Sequence, residues 1–304
     1  RITGDIMSIL LDKNTRVIVQ GMTGREGSLR TEFMKGYGTK VVAGVTPGRG
    51  GQEHLGIPVF DTVKEAIRNV GEVDATVTFI PGPALKNAVY EAIDGGVKFV
   101  VSPVERIPVH DVIAMVNYAL ANGVKLLGPG SLGLISPGKA AMGWLGGSVD
   151  WANMLFEPGP MGVISRSGGQ SGTVPWALKV AGLGISTALH IGTEPVLGIS
   201  MAEVLRMFEK DEQTKAVAIF GEIGGTLEEE AAEVVETKEF TKPLVAFIAG
   251  AWAPEGMRFS HASSIVEGNK GTAKGKIEAL RGAGATVVDS PEQIAPAIKK
   301  LLNL

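Results

Sequence analysis

The feature that most constrains this chain is a recurring unit: a short β-branched apolar run, a glycine or proline turn, then a stretch with helical spacing. Its first copy is Arg16 to Gln20, followed by the turn Gly21 to Gly27 and a helical stretch to Gly36. Further runs follow at Lys40 to Gly44, Ala75 to Ile80, Phe99 to Ser102 and Lys125 to Leu127. Strand-length runs that are apolar on both faces and separated by helical segments predict a parallel sheet covered by helices on both sides. Right-handed crossovers then give a Rossmann-like α/β layout. The pattern breaks at Gly128 to Trp151, a glycine-rich stretch too long for an ordinary αβ connection and too apolar for a disordered linker. It restarts with Met161 to Ser165, a helix over Val174 to Ala181, and strands near Ser186 to Ile191, Ala216 to Phe220, Leu244 to Ile248 and Thr286 to Val288. Two α/β domains are expected, at 1–130 and 131–304, and 304 residues suffice for two cores. Arg1 to Ile6 reads as a stub ahead of a natural start at Met7.

Composition narrows the chemistry. A formal charge of -3 offers no global attraction for nucleic acid or anionic lipid. The absence of cysteine excludes a disulfide framework, thiolate metal sites and a cysteine nucleophile, and fits a reducing compartment such as the cytoplasm. No run approaches the ~20 apolar residues needed to cross a bilayer. The four histidines, His54, His110, His190 and His261, show no pair at ligand spacing, so no metal centre is expected.

The loops after the strands carry the functional signal. Gly21-Met-Thr-Gly24-Arg25-Glu26-Gly27 opens the first helix, where backbone N–H groups and the helix dipole favour a phosphate. Its spacing departs from the dinucleotide pattern G-x-G-x-x-G, and no acidic residue clearly ends the second strand to take a ribose diol, so plain NAD binding is disfavoured. A tight turn with close helix packing is the alternative role for these glycines. Val45-Thr-Pro47-Gly-Arg49-Gly-Gly51 sets a guanidinium among glycines, suited to a second phosphate of the same ligand. The prolines of Ile80-Pro81-Gly-Pro83 and Ser102-Pro-Val104-Glu105-Arg-Ile-Pro108 rigidify two more loops at the ligand-binding edge, or serve as turns only. In the second half, Ser165-Arg-Ser167-Gly168-Gly169-Gln170-Ser171 lies between a strand and a helix and reads as an anion site at a helix N-terminus. It lacks the G-x-S-x-G and partner His of a serine hydrolase. His261 stands in a small polar stretch and is the candidate nucleophile, with a structural histidine as the alternative. Glu222, at another strand end, is a candidate to orient an imidazole, or a surface turn residue. The Glu-rich segment Leu227 to Glu236 reads as a solvated helix face.

Taken in sequence order, Asp12 to Gly24, Gly44-Val-Thr-Pro-Gly-Arg-Gly-Gly51, Ser165-Arg-Ser-Gly168, Gly221-Glu-Ile-Gly-Gly225 and Arg258-Phe-Ser-His-Ala262 resemble the succinyl-CoA synthetase α-subunit family over roughly Ser8 to Leu301. The resemblance implies a CoA-binding Rossmann-like domain followed by a flavodoxin-like, doubly wound ligase domain. It implies a β subunit whose ATP-grasp domain binds ATP or GTP with Mg, in an αβ or α2β2 assembly. By position it assigns to CoA Gly21, Thr23, Gly24, Arg25, Glu26, Gly27, Val45, Pro47, Arg49 (usually Lys in the family), Ile80, Pro81, Val104 and Glu105. It assigns the phosphate and acid region to Ser165, Ser167, Gly168, Gly169 and Gln170, the phosphorylated histidine to His261 and its carboxylate partner to Glu222.

Three departures concern the acid. The family tyrosine near the acid site is Gly172, the usual G-I-G-G-D-P is His190-Ile-Gly-Thr-Glu-Pro195, and the stretch Gly146 to Pro158 is longer than usual. The S-R-S-G-G form at Ser165 to Gly169 and the longer stretch before it are more similar to ATP-citrate lyase and citryl-CoA synthetase, whose acid is bulkier. Succinate is the first expectation for the substrate, with citrate or another hydroxy acid such as malate behind it. A non-enzymatic CoA-responsive sensor is the expectation of another class.

Overall fold

The computed structural model describes residues 8–250 and 271–304. The N-terminal stub and the segment carrying His261 lie outside the described residues. In the first half the chain forms β1 (Arg16–Gln20), α1 (Arg25–Tyr37), β2 (Lys40–Val45), β3 (Glu53–His54), β4 (Ile57–Phe60), α2 (Val63–Val70), β5 (Ala75–Thr78), α3 (Gly82–Asp94), β6 (Phe99–Val101), α4 (Val109–Ala121) and β7 (Lys125–Leu127). Consecutive Val17, Ile18 and Val19 are all buried, as a strand covered on both faces requires. Helix α1 stops at Gly38, whose left-handed φ of 108° lets its N–H close back on the carbonyls of Met34 and Lys35. The sheet order is β3-β4-β2-β1-β5-β6-β7, parallel throughout except for the β3–β4 pair. The winding reverses between β1 and β5, and a crevice opens outside their carboxyl ends.

The second half forms β8 (Gly133–Ser136), β9 (Ala140–Gly143), α5 (Val149–Leu155), β10 (Pro158–Ser165), α6 (Thr173–Val180), β11 (Ile185–His190), α7 (Met201–Lys210), β12 (Ala216–Glu222), α8 (Leu227–Glu236), β13 (Leu244–Ala249), α9 (Ala273–Gly282), β14 (Thr286–Val288) and α10 (Ile294–Leu302). Its sheet order is β14-β13-β12-β10-β11-β8-β9. The five parallel strands β10 to β14 follow the flavodoxin order, with the switch point beside β10.

The stretch expected to be irregular is structured instead. Strands β8 and β9 form an antiparallel hairpin that joins the edge of β11, with Ile135 opposite Ala188. Helix α1 of the first half packs on that hairpin: the Ala141 N–H donates to the Thr39 hydroxyl at 3.0 Å and the Gly143 N–H to the Met34 sulfur at 3.3 Å. The hairpin therefore belongs to the second sheet while burying one face of the first unit.

Candidate functional site

Each sheet has a crevice at its switch point. In the first, Gly21 leaves β1 at φ 81°, and a Cβ there would lie 2.2 Å from the Phe79 carbonyl oxygen. Gly27 sits even closer to its neighbours, since a Cβ would be 2.1 Å from the Gly21 oxygen. These two glycines allow β1, the loop after β5 and the first turn of α1 to converge. Gly24 caps α1 without a side-chain acceptor, which leaves the first-turn N–H groups for a ligand. A cleft of about 580 Å³ results, lined by Gly21, Thr23, Gly24, Val45, Pro47, Arg49, Ile80 and Pro81, with Asn87 and Glu91 from α3.

The second loop works differently from a bare phosphate nest. The N–H groups of Arg49 and Gly50 donate to Asp61 Oδ1 at 3.0 and 2.8 Å, so this carboxylate already holds the turn and leaves the guanidinium as the loop's contribution to the cleft. Sequence reasoning missed Asp61, which lies 12 residues from Arg49 and on no motif. Glu26 and Val104 face a second, smaller cavity of about 290 Å³, which shares Phe79, Ile80 and Pro81 with the main cleft. Glu105 accepts from the Thr193 hydroxyl at 3.4 Å, and the Arg106 N–H donates to Glu194 at 2.5 Å. The altered Thr193-Glu194 pair thus ties the loop after β6 to the second domain. Arg25 lines neither space.

The second crevice gathers the ends of β10, β11 and β12. The Ser165 hydroxyl donates to the Ser167 carbonyl at 2.9 Å and accepts from the Ser167 N–H at 3.2 Å, closing the loop onto itself. Helix α6 starts only at Thr173, with Gly172 as its cap, so Ser167 to Gly169 forms a turn ahead of the helix rather than its N-terminus. Gly169 and Gly172, with Thr173 and Trp176, line a space of about 560 Å³; Gln170 is exposed beside it. His190, at the end of β11, is buried. Its Nδ1 accepts from the Leu132 N–H at 2.9 Å, so Nε2 carries the proton and donates to the Arg166 carbonyl at 3.1 Å.

Glu222 is not a surface turn residue. It ends β12 at 8% exposure, with Oε1 3.7 Å from an Arg166 guanidinium that is itself 1% exposed. The Glu-rich helix keeps Glu233 and Glu236 exposed, as a solvated face requires, but buries Glu228. Glu228 has no exposed surface: its Oε2 lies 3.5 Å from Arg166 Nη1 and bonds Lys276 Nζ, while its Oε1 accepts from the Glu222 N–H at 3.1 Å. Lys276, equally buried, also donates to the Gly225 carbonyl and to Glu229 Oε2, both at 3.0 Å. Burial alone would push the Glu228 carboxyl up; the charges of Arg166 and Lys276 and the hydrogen bonds from Lys276 and the Glu222 backbone outweigh it and hold it below its ordinary value. The described residues flanking 251–270 meet here too. Gly250 packs against Ile223, and the Gly224 N–H donates to the Gly271 carbonyl at 2.7 Å. Among the described residues, no group of three or more metal-ligating side chains is found.

Residues 12–105 match the CoA binding domain family and residues 164–286 the CoA-ligase family. The chain is 47% identical over 300 residues, 98% of its length and 96% of the relative's, to a succinate–CoA ligase [ADP-forming] subunit alpha from Aquifex aeolicus. It belongs to the succinate–CoA ligase α-subunit family. The likeness runs through both domains of this α-subunit family and includes an ADP-forming sulfoacetate-CoA ligase subunit from Bilophila wadsworthia, 43% identical over 98% of this chain and 100% of that one. An ATP citrate lyase structure from Methanothrix soehngenii shares the α-subunit fold at a TM-score of 0.88 and 24% identity, covering 97% of this chain and 50% of that chain. Among the described residues, no helix is long and apolar enough to cross a membrane.

Proposed function

We propose that the chain is the α subunit of an acyl-CoA synthetase that couples phosphoryl transfer from ATP or GTP to thioester formation, with succinate as its acid. Its two functional units divide at about 130/131, the first for CoA and the second for ligation. In this reading a β subunit with an ATP-grasp domain holds the nucleotide and Mg, and the αβ or α2β2 complex works in the cytoplasm.

The chemistry falls to His261. An imidazole nitrogen of His261 attacks the γ-phosphorus, a P–N bond forms, the P–O bond to the nucleoside diphosphate breaks, and that diphosphate leaves. A carboxylate oxygen of the acid then takes the phosphoryl group, which regenerates the imidazole and yields an acyl phosphate. The CoA sulfur, having lost its proton, attacks the acyl carbon, and inorganic phosphate departs. Glu222 accepts the N–H of the ring's other nitrogen, fixing the tautomer whose free lone pair is the nucleophile. The Gly168 and Gly169 amides of the turn act on the phosphoryl group as neutral donors, since those of Arg166 and Ser167 are held by the Phe220 carbonyl and the Ser165 hydroxyl.

The observation that carries this reading is the placement of Glu222: buried, braced by Arg166, and directly before Ile223 and Gly224, which pack on Gly250 and bond Gly271, the described residues flanking the His261 segment. A CoA sensor has no need of a braced carboxylate at that point. A second reading, a bulkier acid such as citrate or malate, is favoured by Gly172, which opens onto the 560 Å³ space where the family resemblance places a tyrosine. Acyl-CoA formation by the copurified complex, assayed separately with succinate, malate and citrate, tests the assignment. Turnover of succinate is expected; turnover of citrate without succinate would move the chain to the second reading.

A further inference from the structure

The cavity of about 290 Å³ beside the CoA cleft differs from it in charge and origin. Its walls are Phe79, Ile80, Pro81, Pro103, Val104 and Trp144, and its one charged wall is the acidic Glu26. An apolar space whose one charged wall is already ion-paired, to Arg30, offers a phosphate no free cation and accepts an uncharged chain. The neighbouring cleft carries a guanidinium, Arg49, while its one carboxylate, Glu91, accepts from the Val63 N–H at 2.8 Å. The two spaces share Phe79 to Pro81, so one elongated ligand that is phosphorylated at one end and uncharged at the other can occupy both.

Trp144 is the wall that comes from elsewhere. It follows β9, in the second domain, and its N–H is fixed to the Leu132 carbonyl at 2.8 Å. Arg30 of α1 lies over its ring at 4.3 Å, and Glu26, one helical turn earlier, holds Arg30 at 3.3 Å. This cation–π stack fixes the indole plane. The indole Nε1 is withdrawn from solvent and makes no hydrogen bond to protein.

We infer that Trp144 is the second domain's contribution to CoA binding: its indole walls the channel for the pantetheine arm, while adenosine and phosphates lie on the Arg49 side. The inference rests on the CoA reading of the first domain. It gives the ligase domain a direct hold on the arm whose thiol must reach it. The test compares CoA with adenosine 3′,5′-bisphosphate, which lacks the arm, by calorimetric titration of the full chain. Trp144→Ala is expected to weaken CoA binding about tenfold and to leave the bisphosphate unaffected, with Trp144→Phe keeping most of the CoA affinity. Equal loss for both ligands, or no loss for either, would overturn the role of Trp144 while CoA binding by the wild type stands. Failure of the wild-type chain to bind CoA would overturn the CoA reading itself.

Discussion

Lys276 and Glu228, neither with any exposed side-chain surface, are joined by a direct ion pair beside the strand end that carries Glu222. The pair links α9 to α8, and through Arg166 it reaches the loop after β10. Three loops of the second crevice thus rest on one buried charge network. Removing one partner strands the other in a water-free site, a cost of about 3–5 kcal/mol. Lys276→Met should lower the unfolding free energy read from urea titration by that amount and Lys276→Arg by much less. Equal midpoints for Lys276→Met and wild type would show that the network contributes nothing to stability.

Glu228 also sets a pH dependence. Its carboxyl is held below the ordinary value, so it stays ionised in the folded chain where the unfolded chain has begun to bind a proton. Its stabilising contribution is complete above the unfolded carboxylate value of about 4.3 and is lost as pH falls through the lower folded value. Relative to wild type, Glu228→Gln should be less stable at neutral pH, and the gap should narrow below about pH 4. Denaturant titrations across that range check the trend; a constant gap would contradict it.

Gly27 tests the convergence at the first crevice. Alanine there gains helix propensity, at most about 1 kcal/mol, yet its Cβ would lie 2.1 Å from the Gly21 oxygen. Overpacking against backbone costs about 1–3 kcal/mol or more, so the clash wins. Gly27→Ala should be less stable than wild type and bind CoA weakly. A more stable variant with intact binding would refute the close approach.

Asp61 should matter to CoA without touching it. Asp61→Ala frees the amides of Arg49 and Gly50 and releases the turn that places the guanidinium. CoA affinity should fall several-fold, well short of the about 1.5–3 kcal/mol that a hydrogen bond to a charged group contributes, because both bonds are exposed and the ligand loses only the placement of the guanidinium. Calorimetric titration reads this directly, and Asp61→Asn should restore part of the loss.

Much of the fold was legible because its signals are local. Arg16–Gln20, Lys125–Leu127, Leu227–Glu236 and Thr286–Val288 stand where apolar runs and helical spacing put them. The β8–β9 hairpin was not legible: Gly133–Ser136 and Ala140–Gly143 are four-residue strands in a glycine-rich stretch, and β8 pairs with β11, some 50 residues later. The burial of Glu228 was equally hidden, since a glutamate-rich helix reads as solvated until Lys276, 48 residues away in sequence, supplies the opposing charge. At the site, the loops after strands were visible from their glycines, whereas Asp61, Trp144 and His190 act through partners that no spacing rule connects to them.

The phosphoryl-carrying role of His261 is tested most directly by incubating the reconstituted complex with γ-labelled nucleotide and measuring acid-labile label on this chain. Wild type should be labelled, Glu222→Gln should be labelled more slowly with unchanged CoA affinity, and His261→Asn should carry none. Label on His261→Asn equal to wild type would contradict the account.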